Sequence, residues 1–259
     1  MAHRTIHFLR NGAVYMSFSI QAVGDSAVKI QFLGNVTPDL NKEIQFFSRK
    51  LHRTQIPGVV EWVPAYDSVT VYYQPHQISY RELCTQIDHV WQLEIEPDGI
   101  EPRCLTIPVI YGGGYGPDLE RVAAVNGFST KEVVSQHIQG EYLVYMLGFL
   151  PGFPYLGGLD ERIATPRLEV PRRETPAGAV GIASKQTGIY PITSPGGWNI
   201  IGKTPVQLFD IGAEEAFLFR PGDKVQFYEI EEKEYKDIRE CISEGSFEIG
   251  RLIQDDKAD

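Results

Sequence analysis

The segment from Leu147 to Pro205 constrains this 259-residue chain more than any other. It carries 10 of the 25 glycines and 8 of the 17 prolines. Proline removes a backbone donor and glycine is entropically costly inside an element, so long helices are excluded here. The breakers alternate with Phe149, Phe153, Tyr155, Leu156, Val180, Ile182, Tyr190, Ile192, Trp198 and Ile200, an apolar content that disordered linkers lack. The expectation is a set of short strands joined by tight, rigid loops. Loops of that kind on a β scaffold are where binding residues concentrate.

The rest of the chain reads as regular elements. Val28, Ile30 and Phe32 alternate with polar neighbours as a half-buried strand. Thr37-Pro38 is a helix start, and Leu40, Ile44, Phe47 and Leu51 give that helix one apolar face. Strands over Val59–Val63 and around Val69, Val71 and Tyr73 flank a turn at Pro64–Asp67, and Ser79–Glu82 is a capping box. This strand–strand–helix–strand–strand–helix layout over 16–95 is a small α+β domain. Residues 96–103 are polar, with proline and glycine, and read as a linker. Met16 opens the recognisable pattern, so residues 1–15 are expected to be an unmatched, unordered extension and Met16 the true start.

Residues 104–230 alternate many short strands with two small helices, one entered through a glycine loop with Pro117 at its first position, one capped by Ser129. Val206–Phe209 and Ala216–Phe219 read as strands. The pattern points to a closed β-barrel. Residues 231–259 are an acidic tail, helical over 231–243 and expected to present a solvated face.

Composition narrows the function. A net charge of −10 disfavours nucleic acid and anionic membranes, which call for a basic patch. Three widely spaced cysteines with no CxxC read as reduced thiols in a cytoplasmic protein. No HExxH or paired-histidine spacing points to a metal, and there is no membrane span or signal-peptide core.

Several motifs carry chemistry. Gly197–Thr204, GWNIIGKT, satisfies the phosphate-loop expression. Its Trp198, Ile200 and Ile201 read as strand residues, however, and Pro205 blocks the helix that such a loop must open. Lys203 remains available as a phosphate or carboxylate contact. Gly112, Gly113 and Gly114 can cradle an anion with backbone donors or simply make a tight turn. His137 reads either as a helix-terminal histidine or as a general acid–base. Arg167, Arg172 and Arg173 suit carboxylate or phosphate, but adjacent side chains on an extended chain face opposite ways, so only one of the adjacent pair faces a site. Lys185, Gln186, Thr187 and Tyr190 place a cation, an amide, a hydroxyl and a phenol within six residues, a set able to hold an amide or lactam and its carboxylate. Ser194 and Trp198 add a rigid turn with an aromatic wall. No G-x-S-x-G elbow surrounds Ser194, so it is not read as a nucleophile.

The segments GFLPGFPYLGGLD (148–160), PAGAVGIASKQTGIYP (176–191) and SPGGWNIIGKTP (194–205) resemble the KipI family, also called the allophanate hydrolase subunit 1 family. GDSAVKIQF (24–32), VPAYDSV (63–69) and YGGGYGPDL (111–119) extend the resemblance over roughly 17–230. It implies an α+β N-terminal domain followed by a cyclophilin-like β-barrel. It also implies the work of one component of an ATP-dependent 5-oxoprolinase, opening the lactam of 5-oxoproline to L-glutamate. Partners would be a C-type component related to allophanate hydrolase subunit 2 and an A-type component of the LamB/YcsF kind. ATP would be bound at the level of the complex. Alternatives within the same resemblance are an inhibitor of a sensor histidine kinase and a carboxyltransferase-like module. For that chemistry the expected roles are proton transfer by His137 and an anion clamp by Lys185 and Arg173. Gln186 and Tyr190 would orient the substrate, Thr187, Ser194 and Trp198 would contact it, and Gly112, Gly113, Gly114 and Lys203 would lie against the nucleotide.

Overall fold

The computed structural model describes residues 4–10, 13–94 and 102–254 and divides the chain into two units, 1–100 and 101–259. Most of the expected linker, 96–103, and the last residues of the acidic tail lie outside the described residues.

In the first unit, Thr37 caps α1 (Pro38–Thr54) by accepting from the Leu40 N–H, with Pro38 in the first turn where its missing N–H costs nothing. The stripe Leu40, Ile44, Phe47 and Leu51 is buried as its spacing requires. Ser79 and Glu82 form a reciprocal capping box on α2 (Tyr80–Gln92), which buries Leu83, Ile87 and Val90. Both helices share one apolar cluster with an antiparallel sheet of β1 (Arg4–Arg10), β2 (Ala13–Val23), β3 (Ala27–Phe32), β5 (Ser68–Tyr73) and β4 (Val59–Pro64), in that order. Full burial of a side chain such as Phe47 or Ile44 contributes about 2 kcal/mol. One expectation is corrected. Residues 4–10 form an edge strand, with Ile6 opposite Phe18, because the free edge of β2 offers them a ladder of backbone partners.

The second unit is a closed barrel. Its strands are β6 (Cys104–Tyr111), β7 (Tyr142–Leu147), β8 (Pro154–Gly157), β10 (Ala179–Ala183), β11 (Gln186–Ile189), β13 (Asn199–Lys203) and β14 (Lys224–Glu229). They run β13-β10-β11-β8-β7-β14-β6, and β6 returns to β13 with Gly202 opposite Tyr111, which closes the sheet on itself. Among the described strands only β14 and β6 pair in parallel. A two-stranded ribbon of β9 (Arg172–Thr175) and β12 (Ser194–Gly196) lies apart, and β15 (Ile253–Gln254) adds to β6. The fold is therefore an α+β unit followed by a cyclophilin-like barrel.

Strand alternation sorts the barrel's side chains. Ile107, Val144, Leu156, Val180, Ile189, Ile201 and Val225 enter one interior cluster, joined by Val122 of α3 (Leu119–Asn126) and Val133 of α4 (Thr130–Gln139). Ala179, Ala183, Tyr190 and Ile200 belong to a separate cluster on the other face.

Three local expectations change. Pro117 does not begin α3. The helix starts at Leu119 because the backbone of Asp118 is tied to Ile200, its N–H donating to that carbonyl at 2.9 Å. The strands expected at Val206–Phe209 and Ala216–Phe219 reduce to one bridge, Phe209 to Phe217, since the barrel is already closed and leaves them no ladder to join. The acidic helix, α5 (Glu232–Ser243), is not solvated all round. Tyr235 is buried with Ile110 and Ile230, and Ile238 packs on the same cluster, covering the outside of β6. No described helix is long and apolar enough to cross a membrane.

Candidate functional site

The outer face of β10 and β11 carries small residues, Ala179, Gly181, Ala183 and Gly188, and large rings pack close against it. A Cβ at Gly188 would lie 3.0 Å from both the Phe153 ring and the Trp198 ring. Phe153 sits at the centre, with Tyr155, Tyr190 and Trp198 around it at centroid distances of 5.0, 5.3 and 5.4 Å, inclined or edge-on. Such geometry suits the ring quadrupoles. Phe149 joins from the rim at 5.7 Å, edge-on to Phe153, and is itself 63% exposed. Its φ of +68° is left-handed, a costly conformation for a bulky residue.

Two arginines flank these rings. The Arg167 guanidinium lies over the Trp198 ring, 5.8 Å from its centroid. Arg172 is held from behind: one Nη donates to Asp118 Oδ1, the other to the Trp198 carbonyl at 3.3 Å. Asp118, nearly buried, also accepts from the Ile200 N–H at 2.6 Å. Nearby, Asn199 donates to the carbonyls of Pro166 and Ile182 and accepts from Arg121. This polar lattice fixes the loops that carry Arg167, Arg172 and Trp198. Burial raises the Tyr190 hydroxyl above its ordinary range, offset in part by the Trp198 N–H and by Arg167 and Arg172.

The residues expected at the site separate. Tyr190 and Trp198 meet in the aromatic cluster. Ser194 is buried in the β9–β12 ribbon opposite Thr175. The inward arginine of the adjacent pair is Arg172; Arg173 is exposed on the other side of β9, the opposite of the expected choice. Lys185 is on the surface, paired with Glu161 at 2.6 Å, so its charge is already answered. Gln186 is half-buried at the start of β11.

Thr187 and His137 point into the barrel. His137 is fully buried at the end of α4, stacked on Phe227 at 4.6 Å. The Thr187 hydroxyl donates to the Gly181 carbonyl. It therefore accepts from His137 Nε2 at 2.9 Å, which leaves Nδ1 to accept from the Tyr111 hydroxyl at 2.8 Å. Burial pushes the imidazole down to about 3 and raises the Tyr111 hydroxyl. A neutral ring with both nitrogens committed holds strands together; the expected proton-transfer role does not fit this placement.

Gly112 and Gly113 line a groove of about 870 Å³ together with Lys131, Ser135, Glu120 and Glu229. Gly114 is exposed beside it. The N–H groups of Gly112, Tyr115 and Gly116 are spent on Ile201 and Gly112 carbonyls, which leaves few donors for an anion. Lys203 lies in β13 opposite Ala179 and Ile110, its pKa lowered by burial and by Arg239. GWNIIGKT continues as a strand with no helix after Lys203, as expected for a chance match.

Sequence reasoning missed Asp118, Phe153 and Asn199. Phe153 stood among the apolar residues between the breakers, but nothing local marked it as the hub. Asp118 follows Pro117 at the expected helix start, and no motif singled it out.

These features define an α+β unit joined to a closed cyclophilin-like barrel that carries an aromatic face flanked by two arginines. A family model, the carboxyltransferase domain, subdomain C and D, matches residues 18–219. The chain belongs to that family, the allophanate hydrolase subunit 1 family. It is 43% identical over 234 residues to the B subunit of the 5-oxoprolinase of Bacillus subtilis (strain 168), covering 86% of this chain and 97% of that protein. The solved structure of TTHA0988 is similar at 38% identity with a TM-score of 0.71, over 79% of this chain. This chain spans only 40% of that longer one. The Kluyveromyces lactis urea carboxylase structure shares the fold at 21% identity and a TM-score of 0.75, covering 90% of this chain and 23% of that chain.

Proposed function

We propose that this chain is one component of a cytoplasmic ATP-dependent 5-oxoprolinase that opens 5-oxoproline to L-glutamate. The observation that carries the reading is the 43% identity to a 5-oxoprolinase B subunit over 97% of that protein's length. A five-membered lactam resists hydrolysis, so its carbonyl must be activated. Phosphoryl transfer from ATP to the lactam oxygen, releasing ADP, would activate that carbon for addition of water. The ring C–N bond would then break with the nitrogen leaving as the protonated amine, and a second water would cleave the resulting acyl phosphate to the carboxylate and inorganic phosphate. Such chemistry needs cations for phosphate and fixed donors for developing charge.

The chain's own residues divide this work unevenly. The aromatic cluster presents Phe149 and Tyr155 at its rim for the flat lactam, over the buried Phe153, Tyr190 and Trp198, with Asp118 keeping Arg172 in place. The groove at Gly112 and Gly113 has room for a nucleotide, but Lys131 shares it with Glu120 and Glu229, a poor setting for a triphosphate. Most phosphate contacts therefore belong to partner proteins, of the A type and the C type. Support for work beside other modules comes from TTHA0988, whose chain continues well past the part similar to this one.

Affinity purification of the tagged chain from its native cytosol, followed by mass spectrometry, tests the reading. The A-type and C-type components should co-purify, and the assembly should release ADP only when 5-oxoproline is present. Recovery of a biotin-carrying carboxylase or a sensor histidine kinase instead, with no oxoproline-dependent ADP, would replace this reading.

A further inference from the structure

We propose that Arg167 is the residue that reads the carboxylate of the ligand bound on the aromatic face. The choice of ligand rests on the lactam reading above; the assignment of Arg167 rests on how the cations around that face are already paired.

Among the cations that could take that role, most are spoken for or misplaced. Lys185 is answered by Glu161. Arg172 is answered by Asp118 and is further tied to the Trp198 carbonyl. Arg173 is exposed on the other side of β9, away from the rings. Arg167 has no ion-pair partner among the described residues, and its guanidinium rests on the face of Trp198. Its positive charge also acts on the Tyr155 and Tyr190 hydroxyls, lowering both against the larger effect of burial.

A guanidinium stacked on an indole keeps its plane fixed while the N–H fork stays open at its edge, the geometry that takes a carboxylate by two parallel bonds. An uncompensated cation also attracts an anion more strongly than one already paired. Beside it, Phe149 is held exposed in a left-handed conformation, edge-on to Phe153. Strain of that kind persists where the surroundings impose it, and it clusters at ligand sites. Together they describe a receptor for a small flat ring bearing one carboxylate: the ring against Phe149 and Tyr155, the carboxylate on Arg167. Asp118 acts as a positioning residue behind it, through Arg172 and the Trp198 backbone.

Equilibrium binding to the intact chain, alone and in the co-purified assembly, tests this with three probes: 5-oxoproline, its neutral primary amide and pyrrole-2-carboxylate. In Arg167→Gln, affinity for both carboxylates should fall at least ~10-fold, the equivalent of one well-made charged contact, affinity for the neutral amide should stay unchanged, and Arg167→Lys should restore part of the loss. Carboxylates bound equally by wild type and Arg167→Gln would overturn the assignment and leave the lactam reading intact. Pyrrole-2-carboxylate bound through Arg167 without 5-oxoproline would overturn the lactam reading and keep the assignment. Loss of amide and carboxylates alike would mean that Arg167 acts by packing alone, and no carboxylate binding to wild type would overturn both.

Discussion

Tyr111, His137 and Thr187 form one chain of hydrogen bonds through the barrel interior. Its consequence is a pH dependence with a definite sign. In the unfolded chain the imidazole titrates near 6.5; in the barrel burial pushes it to about 3. Above pH 6.5 both states hold a neutral ring and nothing is lost. Below it the unfolded chain takes a proton that the barrel refuses, so stability falls by about 1.4 kcal/mol per pH unit toward pH 3. Urea unfolding at pH 7.5 and pH 5 should show about 2 kcal/mol more acid loss in wild type than in His137→Gln. Parallel profiles would show that the ring is charged in the folded state. The residue type alone left both roles for His137 open, because only the fold shows which way the end of α4 faces.

At the scale of elements, β11 works on two faces. Thr187 and Ile189 enter the barrel; Gly188 faces the rings, and Tyr190, just past the strand, is one of them. Gly188 is glycine because Phe153, the Pro154 carbonyl and Trp198 all approach to 3.0 Å of where a Cβ would sit. Gly188→Ala should cost about 2 kcal/mol by overpacking and shift the tryptophan emission as Trp198 moves. Gly114→Ala, where a Cβ meets nothing within 4 Å, should be close to neutral. Equal thermal midpoints for the two variants would show that the rings yield freely. The tail helix is the complementary case. Tyr235 and Ile238 stand three residues apart, a helical stripe that the surrounding charges masked, and they bury against Ile110 and Ile230.

At the scale of the molecule, each unit owns a separate core, and the barrel closes through β6 and β13 with few free edges. A fragment of residues 102–254 should therefore fold by itself and melt cooperatively. A fragment without near-ultraviolet circular dichroism would show that the barrel needs the first unit. Arg121, Arg162, Arg172 and Lys185 are engaged by neighbouring side chains, whereas Arg167, over the Trp198 ring, has no ion-pair partner among the described residues.

Both helices of the first unit, the capping box at Ser79, the cap at Ser129, the strand through Val28, Ile30 and Phe32 and the barrel class were legible in the sequence. Each depends on residues within a turn or a strand of one another, where spacing and capping chemistry act directly. The motifs likewise sufficed for the family. Only the tertiary structure decided that Asp118 meets Arg172 across 54 residues and Ile200 across 82, or that His137 meets Thr187 across 50. Pairings at that distance are chosen by barrel closure. Closure selects the face on which each barrel side chain emerges, and the separate β9–β12 ribbon turns Arg172 toward Asp118 and leaves Arg173 exposed; no local pattern carries that information.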